Sequence, residues 1–456
     1  MNIYENLVVQ QQQFFNTQVT KNIEFRIQQL KKLYQVIQTN EPALEQAIYK
    51  DFKKSSFDTF TNELSMVYLD IREVIKKIKH WSKIKHVKTN LINFPAKSYI
   101  IPEPLGVCLI IGAWNYPYQL SLAPVVAAMA AGNTVILKPS EVSANASHVL
   151  ASIINDAFPA NFFVVIEGGV SETTALLENK FDKIFFTGSV SVGKIVYQAA
   201  AKQLTPVTLE LGGKSPAFVF SDTDLNIAVK RLVWAKFLNA GQTCIAPDYI
   251  LVHQSVEKKF LEKVVEEIER SHFSFENGNY VQIINEKNFN RLQQLIPSEH
   301  VFYGGHTHSL ERYIEPTVLS NMHFDDAIMN DEIFGPILPV ISFENIDMVI
   351  QEIKKRPKPL SCYVFTKNKS VKKKILHELS FGGGAINDAI MHITNSRLPF
   401  GGVGESGIGS YHGLAGFQAF SHYKSILEKG TWIEPNLKYF PHSEKKLKWI
   451  KKAMRL

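Results

Sequence analysis

Cysteine is scarce in this chain: Cys108, Cys244 and Cys362 are the only three among 456 residues. They lie far apart, with no CxxC pair and no spacing suited to a metal ion. A sparse, odd set of thiols argues against a disulfide framework and for a reducing compartment. Long apolar runs are missing as well. No stretch reaches the ~18 residues that mark a membrane-spanning helix, so none is predicted. The chain opens Met1-Asn2-Ile3-Tyr4-Glu5-Asn6 and runs into glutamines. That start lacks the basic residues and apolar core of a secretory leader, and a cytoplasmic protein is expected. A large charge excess is absent too. The formal net charge is +7, much of it in the tail from Lys445 to Leu456. The remainder is nearly balanced, so no nucleic-acid partner is predicted. No internal repeat and no Pro- or Ser-rich linker interrupts the chain.

What is present is a globular, enzyme-like composition, 45% hydrophobic and 20% charged. Single cores usually stop growing at about 250–300 residues, so two large domains and a small appendage are expected. The first hundred residues read as helix. Ile23, Ile27, Leu30, Leu33 and Ile37 recur at helical spacing, and residues 62–85 behave alike. From Pro102 onward the pattern alternates. Strand-like runs at Leu105–Gly112, Thr134–Leu137, Phe162–Ile166 and Lys183–Phe186 are separated by helical ones at Leu120–Ala131, Ser143–Phe158, Ser171–Asn179 and Val190–Lys202. This spacing predicts βαβ units and a parallel sheet. A second alternating region, Pro216 to Asn387, predicts another α/β domain. Its strands are Ala217–Phe220, Tyr249–Val252, Ile337–Ile341 and Cys362–Phe365, and its helices include Leu225–Asn239. Ligands of such sheets bind beyond the carboxyl ends of the strands.

The residues at those strand ends carry the chemistry. Gly188-Ser189-Val190-Ser191-Val192-Gly193-Lys194 has the glycine spacing of a P-loop, but Ile195 stands where Ser or Thr must hold magnesium. That argues against an NTPase. No G-x-G-x-x-G fingerprint is found. A Gly-Ser turn opening a helix still offers free N–H groups to a pyrophosphate, which marks Gly188, Ser189 and Gly193. Lys138 and Glu141 follow a strand directly. They are either a solvated turn or the partners of an adenosine ribose. A carboxylate there repels a 2′-phosphate, which favours NAD, with NADP as the alternative. Cys244 ends Gly241-Gln242-Thr243-Cys244. A lone cysteine is usually an inert core residue, but this loop setting suits an accessible thiol. Thiolate adds to a carbonyl carbon, and the resulting thiohemiacetal expels hydride far more easily than a free aldehyde. Asn115, in Trp114-Asn115-Tyr116-Pro117, carries the fixed NH₂ donor an oxyanion needs, although a buried Asn is often only structural. Glu210, between two leucines and before Gly212-Gly213, reads as a partly desolvated carboxylate able to act on water.

The ordered set resembles the aldehyde dehydrogenase superfamily: Asn115, Lys138-Pro139-Ser140-Glu141, Phe186-Thr187-Gly188-Ser189, Glu210-Leu211-Gly212-Gly213-Lys214, Gly241-Gln242-Thr243-Cys244 and Glu332-Ile333-Phe334-Gly335-Pro336. The segment from Leu398-Pro399-Phe400-Gly401-Gly402 to Gly409-Ser410-Tyr411-His412-Gly413 is similar to the class 3 branch, which takes fatty and aromatic aldehydes. The resemblance implies an α/β fold of two parallel-sheet domains with a small β oligomerisation element. Cofactor-binding would fall to 1–82 and 102–209, catalysis to 210–410, oligomerisation to 83–101 and 411–440, and a basic amphipathic tail to 441–456. It implies Cys244 as nucleophile, and Asn115 with the Cys244 N–H as oxyanion hole. Glu210 would activate the deacylating water. Glu332, grouped with Phe334 at the cofactor, would anchor the nicotinamide ribose or serve as a second base. Phe400 would line the substrate pocket. It also implies a homodimer.

Trp114, Tyr116, Tyr118 and Trp234 are either core or the lining of an apolar tunnel, and Tyr116 is taken with Phe400 as a pocket residue. The expected substrate is an apolar aldehyde: long-chain, aromatic or polyene. In the tail, Leu447, Ile450 and Met454 share a helical face among lysines. That segment is either a solvated terminus or an interfacial helix touching anionic lipid on the inner face of a membrane. Two rivals remain. One is a CoA-acylating dehydrogenase, against which Glu210 argues. The other is a silent binding protein on the same fold, against which intact Cys244, Glu210 and Asn115 argue.

Overall fold

A computed structural model describes residues 3–454. All 15 residues of the helix Pro117–Ala131 are buried. A helix apolar on every side has no solvent face and must sit within other elements. Pro117 opens it, where a missing N–H costs nothing, and Gly132 closes it at a φ of 98°.

This helix joins two neighbouring strands of a six-stranded sheet. The order across that sheet is Gly407–Ile408, Val207–Glu210, Lys183–Thr187, Val107–Ile111, Thr134–Lys138, Phe163–Val165. Five strands run parallel, and Gly407–Ile408 pairs antiparallel with the end of Val207–Glu210. The register aligns Ile111 with Lys138 and with Phe186, and Thr187 with Glu210. The carboxyl ends therefore share one edge, and the loops leaving them converge. A second sheet of seven strands has the order Val301–Tyr303, Thr317–Leu319, Ile337–Phe343, Tyr249–His253, Pro216–Val219, Ser361–Phe365, Gly383–Ile386. Only Val301–Tyr303 is antiparallel there. This is an α/β architecture, and the chain passes from the first sheet to the second between Glu210 and Pro216.

The alternating elements expected from the sequence are present, with bounds shifted by a few residues. The helix from Leu225 ends at Phe237 rather than Asn239, because Asn239 and Ala240 turn to φ values of 56° and 51°. Val207–Glu210 was not anticipated as a strand: the run is short and ends on a carboxylate. The N-terminal helices expected over the first hundred residues include Glu41–Phe52, and a π-helical turn, Phe60–Leu64, leads into Ser65–Trp81. After Trp81 the expectation fails, since Lys85–Val87 and Ala96–Pro104 are strands.

The chain divides into two units. The larger runs up to Trp81 and resumes over Pro104–Ser421; it contains both sheets. The smaller holds Ser82–Glu103 and the chain from His422. The stretch 411–421, expected in the small element, belongs to the larger unit. Its helix Gly413–Ala419 lies on Pro117–Ala131 so closely that a Cβ on Gly416 would meet Ala127 Cβ at 3.0 Å. In the smaller unit, Lys85–Val87, Ala96–Pro104 and Ser421–Lys429 form a three-stranded sheet, and Glu444–Met454 is a helix. No described helix is long and apolar enough to cross a membrane.

Candidate active site

After Phe237 the chain makes a sharp turn. Asn239, Ala240 and Gly241 all have positive φ, at 56°, 51° and 71°. Such backbone is strained for a side-chain-bearing residue and persists only when its surroundings hold it. Gly241 is required here, since a Cβ would lie 2.2 Å from the Gly335 carbonyl oxygen. The turn delivers Gln242, whose amide is buried and anchored to Gln282 O and to Ile284 N–H. Cys244 follows, partly exposed through a cavity of about 540 Å³. Burial, then the carboxylates of Glu332 and Glu210, push its thiol well up; the N–H groups of Cys244 and Ile245 act the other way.

Asn115, Glu210, Glu332 and Cys244 line this one cavity. The Asn115 amide donates one hydrogen bond to Gln242 O at 3.0 Å, which orients its NH₂. Glu210 ends the strand Val207–Glu210 and is buried, with neither carboxyl oxygen partnered among the described residues. Burial raises its pKa well above the carboxylate range. Burial, and next Asp248, push Glu332 up to about 8, while the Gly213 N–H pulls it down. Its carboxylate lies over Gly212, where a Cβ would come within 1.8 Å of Oε2. The Glu332 loop is fixed by residues the sequence did not single out for chemistry. Asp248 accepts from Ile333 N–H at 3.0 Å and from Lys214 at 2.5 Å, and Lys214 also bonds the Ile328 and Asp331 carbonyls. Arg291 donates to Ile333 O at 2.8 Å and reaches the cavity beside Asn288. Nothing in the local sequence distinguishes these two from surface helix residues.

The same cavity is lined by Lys138, Glu141, Gly188 and Ser189. Lys138 is buried and bonds Glu141 at 3.0 Å, Pro139 O at 2.9 Å and Gly168 O at 2.5 Å. Ser189 caps the helix Val190–Ala201 through a long 3.4 Å bond to Val192 N–H. The first N–H groups of that helix have no intrahelical acceptor and suit an anion. Thr187 Oγ1, buried in the same wall, has no partner among the described residues. A dinucleotide fits this set: a buried lysine paired with a carboxylate, a helix N-terminus with free N–H groups, and unsatisfied polar atoms along the cavity. Phe334 lines it near Cys244 and meets the Trp114 ring edge-on at 5.4 Å. Phe400 and Tyr411, their rings edge-on at 5.9 Å, also line it.

Two expected site residues lie elsewhere. Gly193 does not line the cavity. It is buried against Leu211, whose Cδ2 would be 2.6 Å from an added Cβ. Its missing side chain leaves room for Leu211. Tyr116 is buried with its hydroxyl on Thr243 Oγ1 at 2.7 Å and is not a wall of this cavity. Tyr118 is core, bonded to Leu44 O. Trp234 lines a separate, more open cavity of about 1110 Å³ with Phe237, Tyr280 and Met391, and Asn239 also borders it.

The sequence model of the aldehyde dehydrogenase family matches residues 7–426. The chain is 46% identical over 456 residues to a 4,4'-diaponeurosporen-aldehyde dehydrogenase of Staphylococcus aureus, covering 99% of both chains. It is 42% identical over 453 residues to aldehyde dehydrogenase family 3 member A2 of Mus musculus, covering 98% of this chain and 93% of the other. A solved structure of Staphylococcus aureus AldH, in a substrate-bound state, superposes with a TM-score of 0.97 at 45% identity and covers 100% of both. The chain belongs to the aldehyde dehydrogenase family. It is an NAD(P)-dependent oxidoreductase acting on aldehydes.

Proposed function

We propose that this enzyme oxidises an apolar aldehyde (long-chain, aromatic or polyene) to the carboxylic acid through covalent intermediates on Cys244. The observation that carries the reading is the shared cavity of Cys244, Asn115, Glu210 and Glu332. Cys244 passes its proton to the Glu332 carboxylate in the same cavity, and Sγ bonds to the carbonyl carbon. The carbonyl electron pair moves to oxygen, where the free N–H of the Asn115 amide and the Cys244 N–H receive it. The bound dinucleotide supplies the hydride acceptor. Collapse of the oxyanion leaves a thioester on Cys244. Glu210 then takes a proton from water, the hydroxide attacks, and the C–S bond breaks to release the acid. Glu332 and Phe334 hold the nicotinamide end, Lys138 and Glu141 the adenosine ribose, and Gly188 and Ser189 the pyrophosphate. A carboxylate at Glu141 favours NAD over NADP. Phe400 gives the reacting centre an apolar wall, which suits a hydrophobic chain or ring. NADH formation measured over a panel of aldehydes is expected to favour apolar members and to be indifferent to CoA. Turnover only with CoA would replace this reading with thioester transfer to CoA.

The same proposal extends to assembly and location. Ser421–Lys429 is an edge strand of its sheet, and edge strands offer unpaired backbone groups to a second chain; a homodimer follows. The helix Glu444–Met454 buries none of its residues. Leu447, Ile450 and Met454 share one face, flanked by Lys451, and Lys445, Lys448 and Lys452 cover the other. A cytoplasmic enzyme that touches anionic lipid through this face would reach apolar substrate where it partitions. Deleting residues 445–456 is expected to weaken co-sedimentation with anionic vesicles several-fold while leaving turnover of a water-soluble aldehyde within about two-fold. Undiminished sedimentation would sink the lipid contact.

A further inference from the structure

We infer that Lys54 and Glu63 are positioning residues for the oxyanion donor Asn115; this rests on the reading of Asn115 just given. The two form a fully buried ion pair, 2.7 Å apart with side-chain exposures of 1% and 0%. Buried charges are costly unless all their bonding capacity is met. Here the backbone of the Asn115 turn meets it. Lys54 Nζ donates to Asn115 O at 3.2 Å and stands 4.2 Å from the centre of the Tyr116 ring. Glu63 Oε1 takes the Lys54 proton donor, and Oε2 accepts from Tyr118 N–H at 2.8 Å and Gln119 N–H at 3.4 Å. Those are first-turn N–H groups of Pro117–Ala131, where an anion is favourable.

The pair thus grips the turn from both sides of Asn115–Pro117. Asn239 Nδ2 occupies the remaining site on Asn115 O, at 3.0 Å. With its carbonyl bonded twice and the next helix capped, the Asn115 backbone has little freedom, and its amide keeps one N–H for Gln242 O and the other for the cavity. Glu63 sits in the π-helical turn Phe60–Leu64, and such turns often mark functional positions because they redirect a side chain at some cost. Lys54 and Glu63 do not line the cavity themselves; what they hold of its wall is the backbone of Asn115.

The test is a double-mutant cycle read as the first-turnover rate of NADH formation at saturating aldehyde and cofactor. Asn115→Ala is expected to lower that rate about a hundred-fold. The neutral, size-matched pair Lys54→Met with Glu63→Gln is expected to lower it about ten-fold, with KM within two-fold. Alkylation of Cys244 by iodoacetamide, which develops no carbonyl oxyanion, should keep its rate in both. Combined with Asn115→Ala, the paired substitution should cost nothing further. A full ten-fold loss in the Asn115→Ala background, or none in the native one, overturns the positioning role. An unchanged rate in Asn115→Ala alone instead overturns the oxyanion reading. If the neutral pair does not fold, Glu63→Asp keeps both charges and withdraws the carboxylate by one methylene. It should slow the first turnover about three-fold, and a native rate there counts against the proposal.

Discussion

Cys244→Ala is expected to abolish aldehyde oxidation, with kcat falling by at least about four orders of magnitude. The protein should remain folded and still bind dinucleotide, because Lys138, Glu141 and Ser189 are untouched. The loss is this large because the thiol does more than position the aldehyde. Without the C–S bond there is no tetrahedral alkoxide to drive hydride off carbon. Neither remaining thiol can substitute: Cys108 and Cys362 are buried in the two sheets, and burial pushes both thiols up. Stopped-flow NADH absorbance checks the result, with cofactor binding followed separately by protein fluorescence. Residual turnover within ten-fold of the native enzyme would refute the covalent route.

Glu210→Gln should separate the two halves of the reaction. The thiohemiacetal still forms and still loses hydride, so about one equivalent of NADH should appear in a burst. Turnover then stalls, because the thioester waits for a water that no carboxylate deprotonates. General-base removal of this kind costs ~10²–10⁴-fold. The pH dependence follows from the direction of the shift. Burial raises the Glu210 pKa, so the carboxyl is neutral at low pH and becomes a base only as pH rises through that raised value. The deacylation limb of the native enzyme therefore climbs with pH above the ordinary carboxylate range, and Glu210→Gln should flatten it. The burst amplitude is set by Cys244 and should persist. Added hydroxylamine, which needs no base to attack a thioester, should restore steady-state turnover. If Glu210→Gln keeps its steady-state rate within three-fold, the base is Glu332, which burial and Asp248 also hold high.

The chemistry-bearing residues were legible because they punctuate the alternation. Asn115, Lys138, Glu141, Gly188 and Ser189 follow strands whose apolar runs are unmistakable, and a parallel register gathers such ends at one edge. Glu210 stands out only by its setting between two leucines and before two glycines, since its own short strand was not foreseen. Gly193 shows where that logic stops. Its spacing from Gly188 fits an anion loop, yet spacing cannot tell whether ligand or side chain fills the room a glycine leaves. Here Leu211 fills it. Tyr116 stands beside Asn115 in sequence, but the start of a helix turns it inward onto Thr243. Lys54 was invisible for another reason. Lys53-Lys54-Ser55-Ser56 reads as an ordinary solvated turn, and its partner Glu63 lies on a π-turn that breaks the 3.6-residue period. The resemblance alone puts residues 411–421 in the small element, whereas the close approach of Gly416 to Ala127 packs them on the larger unit.

The high pKa of the Cys244 thiol also governs how the protein survives between turnovers. Peroxides and electrophilic metabolites attack thiolates, not thiols, and oxidation past the sulfenic stage is largely irreversible. Two buried carboxyl groups and a desolvated wall keep this sulfur protonated at rest. The arrangement that makes the nucleophile hard to ionise therefore also slows its reaction with oxidants and stray electrophiles at rest.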